Sequence, residues 1–144
     1  MAGGQHPFVT AVLRSPLHGM LSKSLMLLTV TGRMSGRSFT FPVQYVREGK
    51  EVLVLAGRAE GKTWWRNLLE PAPVLMRIRG HEVSGTAHAT RDPEEVSEGL
   101  RVYLLRFPRA AKSLGVPAPR DGAVDAEALD RIAAREVIVR ISVS

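Results

Sequence analysis

The chain has 144 residues, 44% hydrophobic and 24% charged, which suits one globular domain with a real core. It contains no cysteine, so disulfides and thiolate metal sites are excluded, and its four histidines (His6, His18, His81 and His88) share no metal-site spacing. The net charge is +6, and the first 47 residues carry five basic side chains (Arg14, Lys23, Arg33, Arg37, Arg47) and no acidic one, which points to an anionic ligand, a nucleic acid or an anionic membrane. Aromatic residues make up 6% of the chain and no basic block is clustered, so the stacking platform of a nucleic-acid binder is missing and no nucleic-acid partner is expected.

Residues 1–6 read as a loose terminus, and residues 8–21 as a mildly amphipathic helix interrupted near Pro16. That helix lacks the apolar centre and cleavage site of a signal peptide, and no stretch approaches the roughly 20 apolar residues that span a bilayer. The expected location is the cytoplasm. The helix is suited to covering the open end of a barrel or to a peripheral membrane contact. Strands are expected over 24–31 and 38–46, the second placed at an edge or bulge because Pro42 cannot donate to a ladder. The turn Arg47-Glu48-Gly49-Lys50 leads to a strand over 51–56. A helix is expected over 61–69, ended by Pro71. Strands over 74–79 and 82–90, joined by a turn at Gly80-His81, make a hairpin. Asp92-Pro93-Glu94-Glu95 is a strong helix start, with a capping side chain, proline at the first position and acids in the first turn. That helix runs to about Phe107. A loop over 115–122 precedes a short helix capped by Asp125, and Val137, Val139, Ile141 and Val143 alternate as a last strand, expected to pair far back along the chain. The sum is an α+β, mainly β chain: a six-stranded antiparallel split β-barrel with flanking helices. It forms one domain over 1–144, with an N-terminal helix in 1–23, the barrel core in 24–90 and C-terminal helices and strand in 91–144.

Two stretches stand out. Thr31-Gly32-Arg33-Met34-Ser35-Gly36-Arg37 is a tight polar turn between two apolar runs, and a glycine-bearing loop with fixed cations suits a phosphate. An ordinary hairpin with solvated arginines has the same local pattern. Lys62-Thr63-Trp64-Trp65-Arg66-Asn67-Leu68 holds both tryptophans. Neighbours on a helix point about 100° apart, so one ring packs inward while the other flanks a groove. Trp64 and Asn67 share a face, where an aromatic plane beside an amide suits a flat heterocycle, although core and rim packing accounts for the pair equally well.

Taken together, LLTVTGRMSGR, FPVQYV, EVLVLAGR, KTWWRNL and a following basic hairpin resemble the deazaflavin-dependent nitroreductase and quinone reductase family. These are split-barrel proteins related in fold to the pyridoxamine phosphate oxidases. The resemblance covers residues 25–90 and continues more weakly beyond. It implies coenzyme F420 as cofactor, with flavin mononucleotide the less favoured one. It carries Gly32, Arg33, Ser35 and Arg37 over as contacts for the phosphate and acidic tail, Pro42 as a neighbour of the ring, and Ala56, Gly57 and Arg58 as a segment along the cofactor. Lys62, Trp64 and Asn67 complete the set. Met34 stands where many members have a second basic residue, and Phe39 and Phe41 where members often have a basic and a polar one. The tyrosine-rich segment of the nitroreductase is replaced by VYLLRFPRAAKSLG, leaving Tyr103 and Phe107 as candidate substrate-pocket walls.

By this resemblance the activity is hydride transfer from the reduced deazaflavin to a small hydrophobic, electron-poor acceptor: a quinone, an enone or a nitro compound. No catalytic side chain and no metal are called for. Split barrels of this kind are often homodimers. A non-catalytic carrier of a flavin, lipid or other hydrophobic anion on the same barrel stays open, favoured by the apolar Met34, Phe39 and Phe41.

Overall fold

The computed structural model describes residues 24–58 and 63–144. The helix expected in 1–23, Lys62 and the first residues of the helix expected over 61–69 lie outside the described residues. The element order is β1 (Leu25–Thr31), β2 (Ser38–Gln44), β3 (Val46–Glu48), β4 (Glu51–Arg58), a 3-10 helix (Trp64–Leu68), β5 (Ala72–Ile78), β6 (His81–Thr90), α1 (Pro93–Arg106), α2 (Ala110–Leu114), α3 (Ala126–Ala133) and β7 (Glu136–Val143).

The seven strands form one sheet in the order β2-β1-β5-β6-β7-β4-β3, and each neighbouring pair is antiparallel. Its two edge strands, β2 and β3, are consecutive in sequence. Along 38–48 the chain pairs first with β1, through Leu25↔Gln44, and then with β4, through Val46↔Leu53. Tyr45 sits at the break, where its amide donates to the Ser24 carbonyl at 3.1 Å. This change of partner curls the sheet into a split half-barrel. It also corrects the expected count: the run read as one strand over 38–46 is two, so there are seven strands rather than six. Pro42 lies in edge strand β2, where its missing N–H leaves no neighbour unpaired. The last strand pairs with β4 and β6, as in Glu51↔Ser142 and Gly85↔Val143, which is the expected long-range pairing.

Period-two alternation sorts side chains between two cores. Met26, Leu28, Val30, Val52, Val54, Ala56, Met76, Val139 and Ile141 fill the barrel. On the outer face Leu53 and Ile138 meet Val96, Leu100 and Leu104 of α1 and Leu129 and Ile132 of α3. Gly99 lets α1 approach β7: a β-carbon there would lie 2.8 Å from Ile138 Cγ1. Both expected caps are present, Asp92 accepting from the Glu95 amide at 3.2 Å and Asp125 from the Ala128 amide at 3.1 Å.

Two local expectations are corrected. The β5–β6 turn is Arg79-Gly80, not Gly80-His81. Ile78 pairs with His81, and the two residues between have φ of 52° and 81°. A two-residue hairpin loop of this type needs positive φ at both positions, and the ladder register puts Arg79 in the first. The tryptophan helix is a 3-10 helix over Trp64–Leu68 rather than an α-helix over 61–69. Thr63 provides no side-chain cap. With three residues per turn, Trp65 and Leu68 align on the buried face.

Candidate functional site

The corner between β1 and β2 is closed by its own backbone. The Gly32 amide donates to the Arg37 carbonyl at 2.7 Å, and the Gly36 amide to the Gly32 carbonyl at 2.8 Å. Ser35 Oγ accepts from the Arg37 amide at 3.1 Å. Gly36 has a φ of 74°, and a β-carbon on the buried Gly32 would lie 2.8 Å from Ser35 Oγ, so both positions suit glycine. The Arg33 amide donates to Asn67 Oδ1 at 3.0 Å, joining the corner to the 3-10 helix. Asn67 Nδ2 donates in turn to the Trp64 carbonyl at 3.1 Å. The amides of Gly32, Arg33, Gly36 and Arg37 are thus engaged within the protein and are not available to a ligand. Arg33 and Arg37 are exposed and, among the described residues, neither is ion-paired with a carboxylate. Met34 projects between them, 91% exposed, and Phe39 follows, 45% exposed.

The two tryptophans divide as expected. Trp65, 1% exposed, is part of the barrel core, with the Arg66 and Arg91 guanidinium groups 5.5 and 5.2 Å from its ring centre. Trp64 is half-buried, its ring 4.9 Å from that of Phe41. Ala56 is buried in the barrel. Gly57 and Arg58 end β4 at an irregularity in its pairing with β7, between Leu55 and Arg58, after which the Arg58 backbone is paired with that of Glu136.

Along β2, Phe41, Val43 and Tyr45 face the barrel core, so Thr40, Pro42 and Gln44 face outward. Gln44 belongs to an open cleft of about 900 Å³, walled also by Leu55, Tyr103, Arg106, Phe107, Pro108, Arg109, Ala110, Ser113 and Leu114. The Tyr103 hydroxyl donates to Gln44 Oε1. The Tyr103 and Phe107 rings are 5.1 Å apart, and burial pushes the Tyr103 phenol above the ordinary tyrosine range. The structure therefore brings the candidates together in two groups. Gly32, Arg33, Ser35, Arg37, Trp64 and Asn67 gather at the corner; Tyr103 and Phe107 stand in the cleft. Pro42 lies between, on a strand that spans roughly 20 Å. Gln44, Arg106, Arg109 and Ser113 were not singled out from sequence. All but Gln44 lie in the stretch that holds Tyr103 and Phe107, which was the available signal. Among the described residues no cluster could hold a metal, and no helix is long and apolar enough to cross a membrane.

This donor set fits an elongated anionic cofactor: uncompensated cations at one end, and at the other an open cleft with an apolar wall. The sequence profile of the F420H2-dependent quinone reductase family matches residues 13–103. The chain belongs to this family. It is a deazaflavin-dependent reductase, and the family's cofactor is coenzyme F420. No curated protein matches it. Among solved structures, an F420-H2-dependent reductase is 18% identical, with a TM-score of 0.55 over 85% of this chain and 95% of that one. A domain-swapped dimer is 16% identical, with a TM-score of 0.56 over 94% and 99%. The FAD and heme binding protein from Mycobacterium smegmatis is 17% identical, with a TM-score of 0.53 over 91% and 66%. At such identities these likenesses establish the shared fold of the family and no more.

Proposed function

We propose that this reductase passes a hydride from reduced coenzyme F420 to an electron-poor acceptor, a quinone, enone or nitro compound, seated in the cleft beside Gln44, Tyr103 and Phe107. The observation that carries the reading is the outer face of β2, which leads from the uncompensated arginines of the corner, past Pro42, to the Gln44 wall of the cleft. When bound, the reduced deazaflavin supplies the hydride, and a quinone that receives it takes one proton from solvent to leave as the hydroquinone.

The residues divide the remaining work. Arg33 and Arg37 hold the phosphate and acidic tail by charge-assisted hydrogen bonds, with Ser35 and Gly32 shaping the corner. Trp64 and Asn67 border the same end, and the family resemblance assigns Ala56, Gly57, Arg58 and Lys62 to the cofactor as well. Pro42 offers a flat surface for the ring. Because Gln44 Oε1 accepts from Tyr103, the Gln44 Nε2 group remains to donate to an acceptor oxygen and polarise it. Tyr103 and Phe107 form the apolar wall against which the acceptor ring packs. The protein contributes position, and water entering the open cleft serves as proton donor. One domain and a homodimer belong to the same proposal, supported by the fold shared with the solved domain-swapped dimer.

The test is a spectral titration with coenzyme F420, with flavin mononucleotide as competitor, followed by a screen of hydride acceptors. Saturable coenzyme binding, weak competition and coenzyme-dependent quinone reduction are expected. Binding without turnover of any acceptor would return the protein to the carrier reading.

A further inference from the structure

A second cleft adjoins the first. It is lined by Tyr45, Arg47, Gly49, Ile78, Arg79 and Arg106, and its volume is about 430 Å³. Arg106 belongs to both walls. The two linings together carry Arg47, Arg79, Arg106 and Arg109 and, among the described residues, no carboxylate. Among the described residues none of the four arginines is ion-paired; the close pair there is Arg101 with Glu98, elsewhere on α1. Arg47 Nε donates to the Gly49 carbonyl at 3.0 Å, which fixes the stem of this guanidinium and leaves its other N–H groups for a ligand. Arg106 is fixed as well, its guanidinium carbon 4.9 Å from the centre of the Phe107 ring.

Arg79 adds an independent observation. It occupies the first position of a turn with a φ of 52°, where a side chain is strained and asparagine or glycine is the low-energy occupant. A cation held in a strained backbone position beside a cleft that already contains two cations is costly to the free protein. An anion in the cleft offsets the electrostatic part of that cost.

We propose that this basic annex binds a negatively charged group, a carboxylate or a phosphate, carried by the hydride acceptor, whose electron-poor ring occupies the larger cleft. The proposal rests on the reading of the larger cleft as the acceptor site and names the acceptor class: an anionic, electron-poor molecule. Three forked guanidinium groups match a carboxylate or phosphate geometrically, and a one-signed cleft raises the local concentration of such a substrate. The acidic tail of the coenzyme is the other source of an anion. The annex lies beyond the Gln44 end of β2, whereas the corner cations lie at its Ser38 end, roughly 20 Å away.

The experiment uses the full chain with coenzyme F420 and two acceptors, a plain naphthoquinone and the same ring bearing a propionate arm. Arg79→Asn removes the charge while relieving the turn, so its melting temperature should not fall. The ratio of kcat/KM for the charged quinone to that for the plain one should drop roughly tenfold in Arg79→Asn, the effect of one charge-assisted hydrogen bond. Calorimetry with redox-inert naphthalene propionate, against an uncharged naphthalene analogue, should show the same loss of preference without any turnover. An unchanged ratio with both quinones reduced overturns the annex alone. An equal loss of coenzyme affinity in Arg79→Asn also overturns it and assigns the annex to the coenzyme tail. Failure of the unaltered protein to reduce either quinone, although the coenzyme binds, removes the reading of the larger cleft, and the proposal falls with it.

Discussion

The corner and the cleft are built in opposite ways. The corner is local: three backbone amides, two glycines and Ser35 close a loop within a few residues, and one long-range bond, from the Arg33 amide to Asn67, fixes its position. The cleft is assembled from β2, β4, α1 and α2, and Tyr103 meets Gln44 across 59 positions of sequence. A local loop preserves its shape when exposed side chains change, whereas a wall shared by four elements shifts with any one of them. Cofactor binding should therefore be robust in geometry and sensitive to charge, whereas seating of the acceptor ring should be sensitive to geometry.

The contrast can be broken first at the tryptophans. Trp65→Ala removes a fully buried ring beneath the corner and should cost about 3–5 kcal/mol of stability in chemical denaturation. Trp64→Ala should cost much less stability and act instead on coenzyme affinity. Equal stability losses would show that both rings are core. Next in size, the double change Arg33→Ala with Arg37→Ala should weaken coenzyme affinity roughly a hundredfold, as two charge-assisted hydrogen bonds imply. Its stability should move by no more than about 0.5 kcal/mol, because both side chains are exposed. Preserved affinity would remove the corner from the site.

The other side of the comparison is sharpened by Gly99→Ala. The added β-carbon has Ile138 Cγ1 at 2.8 Å, so α1 must shift, at a cost of about 1–3 kcal/mol. Because α1 carries Tyr103 and Arg106, acceptor KM should rise while coenzyme affinity changes less. The smallest effect belongs to Tyr103. Tyr103→Phe should cost about 1 kcal/mol and reduce turnover, because Gln44 loses the donor that orients it. Burial raises the folded-state pKa of Tyr103 above its unfolded value, so the neutral phenol contributes stability that is fully present below the ordinary tyrosine pKa of about 10 and is lost as pH rises through the folded value. An ultraviolet titration should show one tyrosine ionising late, and Tyr103→Phe should remove it.

What could be read from the sequence follows the same division. Pro42 marks an edge strand by chemistry alone, Asp92-Pro93 writes its own helix start, and the alternation of Val137, Val139 and Ile141 needs no partner to be recognised. The corner was legible because its glycines and arginines are contiguous. The break at Tyr45 was not, because an unbroken apolar alternation gives no sign of which neighbouring strand each half will choose. The turn at Arg79 was hidden for a related reason: Gly80-His81 looks the better turn locally, and ladder register overrules it. Gln44 escaped notice because its partner, Tyr103, is brought to it only by tertiary packing.

The switch at Tyr45 sets one further consequence. On the proposed reading, the ring-facing Pro42, the polarising Gln44 amide and Arg47 of the annex are threaded on a single short ribbon that leads from the corner and is shared by both seams of the barrel. Inserting or deleting one residue between Ser38 and Arg47 would turn everything downstream inside out. In a lineage free to vary its loops, this ribbon is the ruler whose length is not free to drift.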